Sequence, residues 1–192
     1  MRNRRGFVLM EVLIAIALFA LLVFYLAQAS ITSRRYIDRS LDRHRGQMIA
    51  EDALDTLQVE FRASSKINAL EDVDGATYTD VPEGEIRVKR LRLMQYKKVK
   101  VKKTEESTIA KEGLKEFEQV ITLHPEEERR PVRFSHRNSP DLSVSGVYEA
   151  ATGVAELRME KAGDKSYRLT VVAVAGKVKT EVSRILTLGK KR

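Results

Sequence analysis

The sequence contains no cysteine and no tryptophan, and its 192 residues include only three histidines and four prolines. Without cysteine the chain can form neither a disulfide framework nor a metal site built on thiolates. His44, His124 and His136 lack the spacing of metal ligands, and no Ser/His/Asp arrangement, glycine-rich phosphate loop or paired-carboxylate motif is recognisable. The sequence therefore predicts no metal site, no cofactor and no enzymatic activity.

One long stretch near the N-terminus is almost free of charge. No proline precedes Pro82, and between Phe7 and Ala27 there is neither glycine nor proline and a single charged residue, Glu11. At the rise of a helix this stretch covers about 30 Å, which is the thickness of a bilayer's hydrocarbon core. It therefore predicts a membrane-spanning helix. Because a carboxylate inside such a helix is costly, Glu11 indicates a function and needs a partner.

Gly6, Phe7 and Glu11 stand at a fixed spacing in front of this apolar run. Together with the run from Val12 to Ala27 they resemble the N-terminus of type IV prepilins and type II secretion pseudopilins. In that family a short basic leader ends in glycine, a dedicated prepilin peptidase cleaves after it, and the new N-terminal residue, usually phenylalanine, is N-methylated. The resemblance implies cleavage between Gly6 and Phe7, N-methylation of Phe7, and attraction between Glu11 and the new amine of a neighbouring subunit. Such a pair is physically sensible, because opposite charges in dry surroundings offset each other's desolvation cost.

The resemblance also implies an architecture and a location. The expected fold is α+β, with a long N-terminal helix packed on a C-terminal antiparallel β-sheet as in pilins. The expected parts are a basic leader (1–6), a transmembrane and assembly half of the helix (7–29), an outer half of the helix (30–63) and an extracytoplasmic sheet domain (64–192). The expected location is the inner (cytoplasmic) membrane, crossed once with the N-terminus in the cytoplasm. The implied partners are prepilin peptidase, other pilin or pseudopilin subunits, the inner-membrane assembly platform and membrane lipid.

Other N-terminal signals share parts of this pattern. Ala27-Gln28-Ala29 before Ser30 has the form of an ordinary secretory cleavage site, and Arg4-Arg5 loosely fits a twin-arginine signal. Cleavage after Ala29 would leave a soluble exported binding protein. However, the apolar run is longer than the core of a signal peptide, and neither signal uses Glu11. A plain signal anchor leaves Glu11 without a role as well, so the prepilin interpretation is favoured.

Charge does not settle the orientation of the membrane helix. The formal net charge is +8, and the positive-inside rule favours a cytoplasmic N-terminus because the leader contains three arginines. Five arginines, partly offset by Asp38 and Asp42, also follow the apolar run: Arg34, Arg35, Arg39, Arg43 and Arg45. It is the prepilin resemblance that places the leader inside and the sheet domain outside.

The helix is predicted to continue beyond the membrane. Arg34/Asp38 and Arg39/Asp42 have the spacing of charge pairs on a solvated helix, so one helix without a proline kink is expected from Phe7 to the low sixties. The face of the helix that carries the apolar residues switches between Gly46 and Ile49. Two sets of apolar residues lie on nearly opposite sides of a 3.6-residue helix, namely Ile37, Leu41 and Met48 in one set and Ala50, Leu54, Leu57 and Phe61 in the other.

The two apolar sides allow two interpretations. In the favoured one, the set from Ala50 to Phe61 packs under the sheet of its own domain and the set around Leu41 faces neighbouring subunits. In the other, the helix breaks at Gly46 and each half uses one face. The segment from Asp55 to Ala63 also resembles a stretch of the larger minor pilins and J-type pseudopilins, Leu-x-x-Asp-Leu-Arg-x-Ala, which suggests a minor, tip-type component.

The C-terminal part is predicted to be a loop followed by strands. The loop covers residues 64–85 and contains Glu71 to Gly75, which is similar to a calcium loop but lacks the remaining ligands, so we expect a solvated turn. Alternation of polar and apolar residues predicts the strands. They are Ile86–Met94, Tyr96–Lys102, Phe117–Leu123, Val154–Lys161, Ser166–Ala175 and Val178–Leu188, with loops at His124–Pro131 and Asn138–Pro140 and with Thr170–Ala175 as the centre of the sheet.

A basic run without acidic residues extends from Arg87 to Lys103. Such a run could bind DNA or another anionic polymer. Base stacking would require aromatic residues among the charges, and only Tyr96 is present. The favoured interpretation is a pair of edge strands whose lysines face water and prevent edge-to-edge aggregation, so nucleic acid is not an expected partner.

Overall fold

A computed structural model describes residues 4–100, 112–137 and 147–189 of the chain. These residues form one helix, α1 (Arg4–Ala63), and an antiparallel sheet. The strands are β1 (Ser64–Asp72), β2 (Thr77–Tyr78), β3 (Ile86–Lys100), β4 (Glu112–Leu123), β5 (Val132–Arg137), β6 (Tyr148–Ala151), β7 (Val154–Lys161), β8 (Ser166–Ala175) and β9 (Val178–Thr187). The expected α+β architecture is confirmed. The end of the predicted strand Tyr96–Lys102 and the predicted loop Asn138–Pro140 lie outside the described residues.

The helix is continuous through Gly46, so the alternative of a break there is wrong. The charged residues at these spacings lie on one continuous helix as predicted, although Asp38 and Asp42 form no ion pair within 4 Å with any described residue. The chain divides into two compact units, Met1–Asp42 and Arg43–Arg192.

The C-terminal part of α1 supplies the core of the second unit. Leu54, Leu57 and Phe61 are fully buried and pack with apolar side chains of the sheet, and the Phe61 ring meets the Tyr167 ring edge-on at 6.3 Å between centroids. Ile37 and Leu41 are half exposed, at 52% and 50%. The predicted difference between the two apolar sets is therefore confirmed.

Gly46 allows α1 to approach β9 closely. It is buried, and a Cβ atom there would lie 2.7 Å from the Thr180 hydroxyl oxygen and 3.1 Å from the Thr180 Cβ. Ala50 and Ala53, one and two turns further along, are also buried. Small side chains along this line keep the helix close to the sheet, so Gly46 is a packing residue and not merely a tolerated glycine.

The strands follow the order β6-β5-β4-β3-β7-β8-β9, with β1 paired to β3 and β2 paired to β1. Strand β3 connects the two parts of the sheet. Its residues 86–87 pair with β7, residues 88–95 pair with β1 and residues 90–100 pair with β4. The predicted meander of β7, β8 and β9 is confirmed nearly to the residue.

Three predictions about the sheet are wrong. The first part of the predicted loop at 64–85 is strand β1. Its inward positions include Ser64 and Asp72 and its register shifts three times, so no apolar alternation marks it. The two strands predicted on either side of Gln95 are a single strand, β3, because Gln95 takes a buried position. The centre of the sheet is β3 and not β8, although β8 is deeply buried.

Substitutions on the two sides of α1 should differ in cost. Phe61→Ala empties a fully buried site and should lower the free energy of unfolding by about 3 to 5 kcal/mol, whereas Leu41→Ala on the exposed set should change it by less than about 0.5 kcal/mol. Denaturant unfolding of the full chain in detergent, followed by near-UV circular dichroism, measures both. Equal and large losses would contradict the assignment of the two faces.

Gly46→Ala should destabilise the second unit although alanine favours helix. The contact with Thr180 should outweigh the gain in helix propensity and give a net loss of about 1 to 2 kcal/mol in unfolding free energy. Gly163→Ala is the control, because a Cβ atom there meets its nearest neighbour at an ordinary 3.6 Å. If the close contact is the cause, the loss should shrink in a Thr180→Ala background, and an unchanged loss in that background would refute it.

Candidate assembly segment

The N-terminal half of α1 exposes apolar side chains on every side. From Met10 to Ile31 the side chains are exposed, and Glu11 is the one charged residue between Met10 and Arg34. This part of the helix is long and apolar enough to cross a membrane. An all-round apolar helix is stable only in lipid or against other apolar helices, because water solvates it poorly.

The three predicted site residues lie close together on this helix. Gly6, Phe7 and Glu11 all fall within α1, and Phe7 and Glu11 are four residues apart, which places them on the same face about 6 Å apart along the axis. In the uncut chain the Phe7 nitrogen is a neutral peptide amide. Cleavage after Gly6 would turn it into an ammonium group, so the positive half of the site would exist only after processing.

Glu11 has no partner within the described residues. Its side chain is exposed, and it makes no hydrogen bond or ion pair with any of them. Its neighbours along the helix are apolar, among them Met10, Val12 and Leu13. Among the described residues nothing offsets the loss of water for a carboxylate placed this way.

In the acidic turn at Glu71–Gly75, the Asp72 carboxylate accepts hydrogen bonds from the backbone and so holds the turn. One carboxylate oxygen of Asp72 accepts hydrogen bonds from the backbone nitrogens of Asp74 and Ala76, each at 2.9 Å, and the other accepts one from the Tyr78 hydroxyl at 3.2 Å. Partial desolvation raises the pKa of Tyr78, and the bond to Asp72 raises it further. In the described ranges no three His, Cys, Asp or Glu side chains lie close enough to hold a metal ion.

The basic run is not a pair of edge strands. It lies on β3, which pairs with β1, β4 and β7. Its Arg90 binds Glu71 of the neighbouring strand β1 at 2.8 Å. Lys102 and Lys103 lie outside the described residues. The charge of Arg90 is therefore matched within the sheet.

A polar cluster that the sequence did not reveal fastens the C-terminal end of α1 to the sheet. The buried Gln95 amide donates to the Glu60 carboxylate at 2.7 Å and to the Ser64 hydroxyl at 3.3 Å, and Ser64 donates to the Glu60 carbonyl at 2.6 Å. Partial burial raises the pKa of the Tyr148 hydroxyl, and the Glu60 carboxylate raises it further. The one feature of the sequence that could have indicated this cluster is Gln95, a glutamine at an inward position of an alternating strand.

Further polar contacts hold the rest of this helix segment. Arg184 of β9 binds the Asp55 carboxylate and donates to the Gln58 side-chain oxygen at 3.1 Å. After β9, the Gly189 nitrogen donates to the Phe61 carbonyl at 3.2 Å. A side chain at position 189 would collide with the Arg62 carbonyl oxygen. These contacts fix residues 55–62 on the sheet.

The chain was also compared with known proteins. Protein-family models, curated proteins and solved structures all give no match to it. What is shown is thus a long N-terminal helix with a membrane-capable half, followed by an antiparallel sheet that packs on its C-terminal half.

Proposed function

We propose that the chain is a structural subunit, of the minor or tip type, of a type IV pilus or a type II secretion pseudopilus. Prepilin peptidase cleaves it after Gly6, Phe7 is N-methylated, and the N-terminal helix carries it into the filament. The chain is then a substrate of an enzyme and not itself a catalyst. The observation that carries this proposal is Glu11, an unpartnered carboxylate one helical turn beyond Phe7 on a helix that is apolar all round.

The architecture supports an assembly role. The hydrophobic side chains that form the described core of the second unit include none before Ile49, so the apolar half of α1 is not needed to build that core. That half remains available for lipid before assembly and for the helices of other subunits afterwards. Its partners are therefore other pilin or pseudopilin subunits, the inner-membrane assembly platform and membrane lipid.

The charges of Glu11 and of the Phe7 amine explain why cleavage precedes assembly in this proposal. Before cleavage Glu11 sits near the cytoplasmic end of the membrane helix, where it can snorkel or be protonated. After cleavage the ammonium group of Phe7 on an adjacent subunit can meet it, and the attraction is strong because the surroundings are dry. Processing in the inner membrane, with the N-terminus in the cytoplasm, therefore makes the helix competent to assemble.

Processing provides the first test of this proposal. In cells with an active prepilin peptidase, N-terminal sequencing of the mature protein should give Phe7, with a methylated amine. Gly6→Val should keep the leader attached, because the peptidase of this family requires a residue without a side chain at that position. A mature N-terminus at Ser30 would instead show an exported protein cut after Ala29, and normal maturation of Gly6→Val would refute the assignment.

The second test concerns Glu11. Glu11→Val should be inserted and cleaved normally but be recovered in sheared filaments, or cross-linked to partner subunits, at least about tenfold less than the wild type, because it lacks the charge that offsets the amine's desolvation. Glu11→Gln, which keeps the shape and removes the charge, should behave similarly, and Leu13→Val is the control for a mere change of shape. Undiminished incorporation of both Glu11 variants would show that Glu11 is not the docking charge.

A further inference from the structure

The first charged residues after the apolar segment are two adjacent arginines. No charged residue lies between Glu11 and Arg34, and both Arg34 and Arg35 are exposed. The first acidic residue, Asp38, lies about one helical turn further from the membrane segment. The layer of the helix nearest to the apolar segment therefore carries two positive charges and no negative one.

Neither arginine is neutralised by a residue that the structure describes. Arg34 and Arg35 make no hydrogen bond or ion pair with any other described residue, Asp38 included. An arginine presents five N–H donors in a planar fork that matches the oxygens of phosphate. Two such groups side by side on one helix suit a phosphate-bearing surface.

The depth of these residues fits the phosphate layer of a bilayer. If Phe7 to Ala27 fill the hydrocarbon core, the Arg34 backbone lies about 10 Å beyond its edge, and the headgroup layer extends about 5 to 8 Å. Long side chains of a helix tilt towards its N-terminus, which here means back towards the membrane, so the guanidinium groups reach that layer. Arg39 lies about 7 Å further out and does not reach it.

Exposed tyrosines lie on the two sides of this level, about 16 Å apart along the helix. Tyr25 and Tyr36, which are 69% and 75% exposed, stand near the end of the apolar segment and next to Arg35. Tyrosine favours the membrane–water interface because its ring is apolar and its hydroxyl is polar. Tyr25, at the end of the apolar segment, therefore lies at the inner edge of the interfacial layer that the arginines reach from outside.

We infer that Arg34 and Arg35 bind the phosphate groups of anionic phospholipids at the outer surface of the membrane. This inference rests on the membrane insertion of the proposed function, but not on cleavage or on filament assembly. The lipid contact fixes the depth of the helix. It also accounts for arginines on the side of the membrane where the positive-inside rule does not favour them. Each arginine should favour an anionic over a neutral lipid about fivefold.

The experiment uses the full chain in nanodiscs of equal parts phosphatidylglycerol and phosphatidylcholine. After mild detergent transfer, mass spectrometry counts the lipids that stay bound to the protein. The wild type should retain phosphatidylglycerol in excess over the bulk ratio, and Arg34→Gln/Arg35→Gln should lose about fivefold of that preference for each arginine removed. Arg39→Gln/Arg43→Gln is the matched control, because it removes the same charge from the same helix further out, and it should stay within about twofold of the wild type.

Each result decides the inference. Equal loss in the two double variants would overturn it, because net charge alone would then account for the preference. Normal incorporation without any preference for phosphatidylglycerol would overturn it and leave the membrane insertion of the proposed function intact. Failure of the wild type to enter nanodiscs would overturn both. If Arg34→Gln/Arg35→Gln keeps its lipids but loses cross-links to other subunits, the arginines bind acidic protein groups and the inference is wrong.

Discussion

The structure depends on how one helix is solvated along its length. From Met10 to Leu26 more than ten large apolar side chains are exposed. Each contributes about 1.5 to 3 kcal/mol when it is removed from water, so this half of α1 gains on the order of 20 kcal/mol in an apolar environment. No packing within the second unit uses these residues. The requirement for lipid or for other helices is therefore a property of this segment and not of a single residue.

The C-terminal part of the same helix is held in place by its own domain. Leu54, Leu57 and Phe61 supply buried area, Gly46 sets the distance to the sheet, and the cluster around Gln95 fixes the end of the helix. Apolar burial is non-directional, whereas a hydrogen bond from Gln95 to Glu60 specifies one position along the helix. The combination gives a domain that holds the helix in one register without any disulfide.

The sequence predicts features that depend on local periodicity and misses those that depend on distant partners. The apolar segment and the meander of β7, β8 and β9 follow from neighbouring residues, because a long apolar run and glycine-bounded alternation are each compatible with few structures. Strand β1 was missed because Ser64 and Asp72 occupy inward positions. The central place of β3 cannot be predicted from the sequence, because an arginine that pairs with a carboxylate on the neighbouring strand, as Arg90 does with Glu71, cannot be distinguished there from an arginine in water. The role of Gly46 depends on Thr180, which is far away in the chain.

The same limit applies to the assembly segment. Local spacing gives Gly6, Phe7 and Glu11 and places the last two on one face of a helix, but the partner of Glu11 belongs to no described part of this chain. In the proposed function the partner does not exist until the leader is removed, because a peptide nitrogen carries no charge and an N-terminal amine does. Hydrolysis of one bond then adds a positive charge to the face of the helix that already carries the carboxylate. An uncut helix would bring to its neighbours a carboxylate at Glu11 but no charged amine at Phe7, since the positive charges of its leader are those of Arg2, Arg4 and Arg5. Cleavage would therefore create the positive partner of Glu11 one helical turn away from it, so a subunit of this kind can wait in the membrane before it assembles.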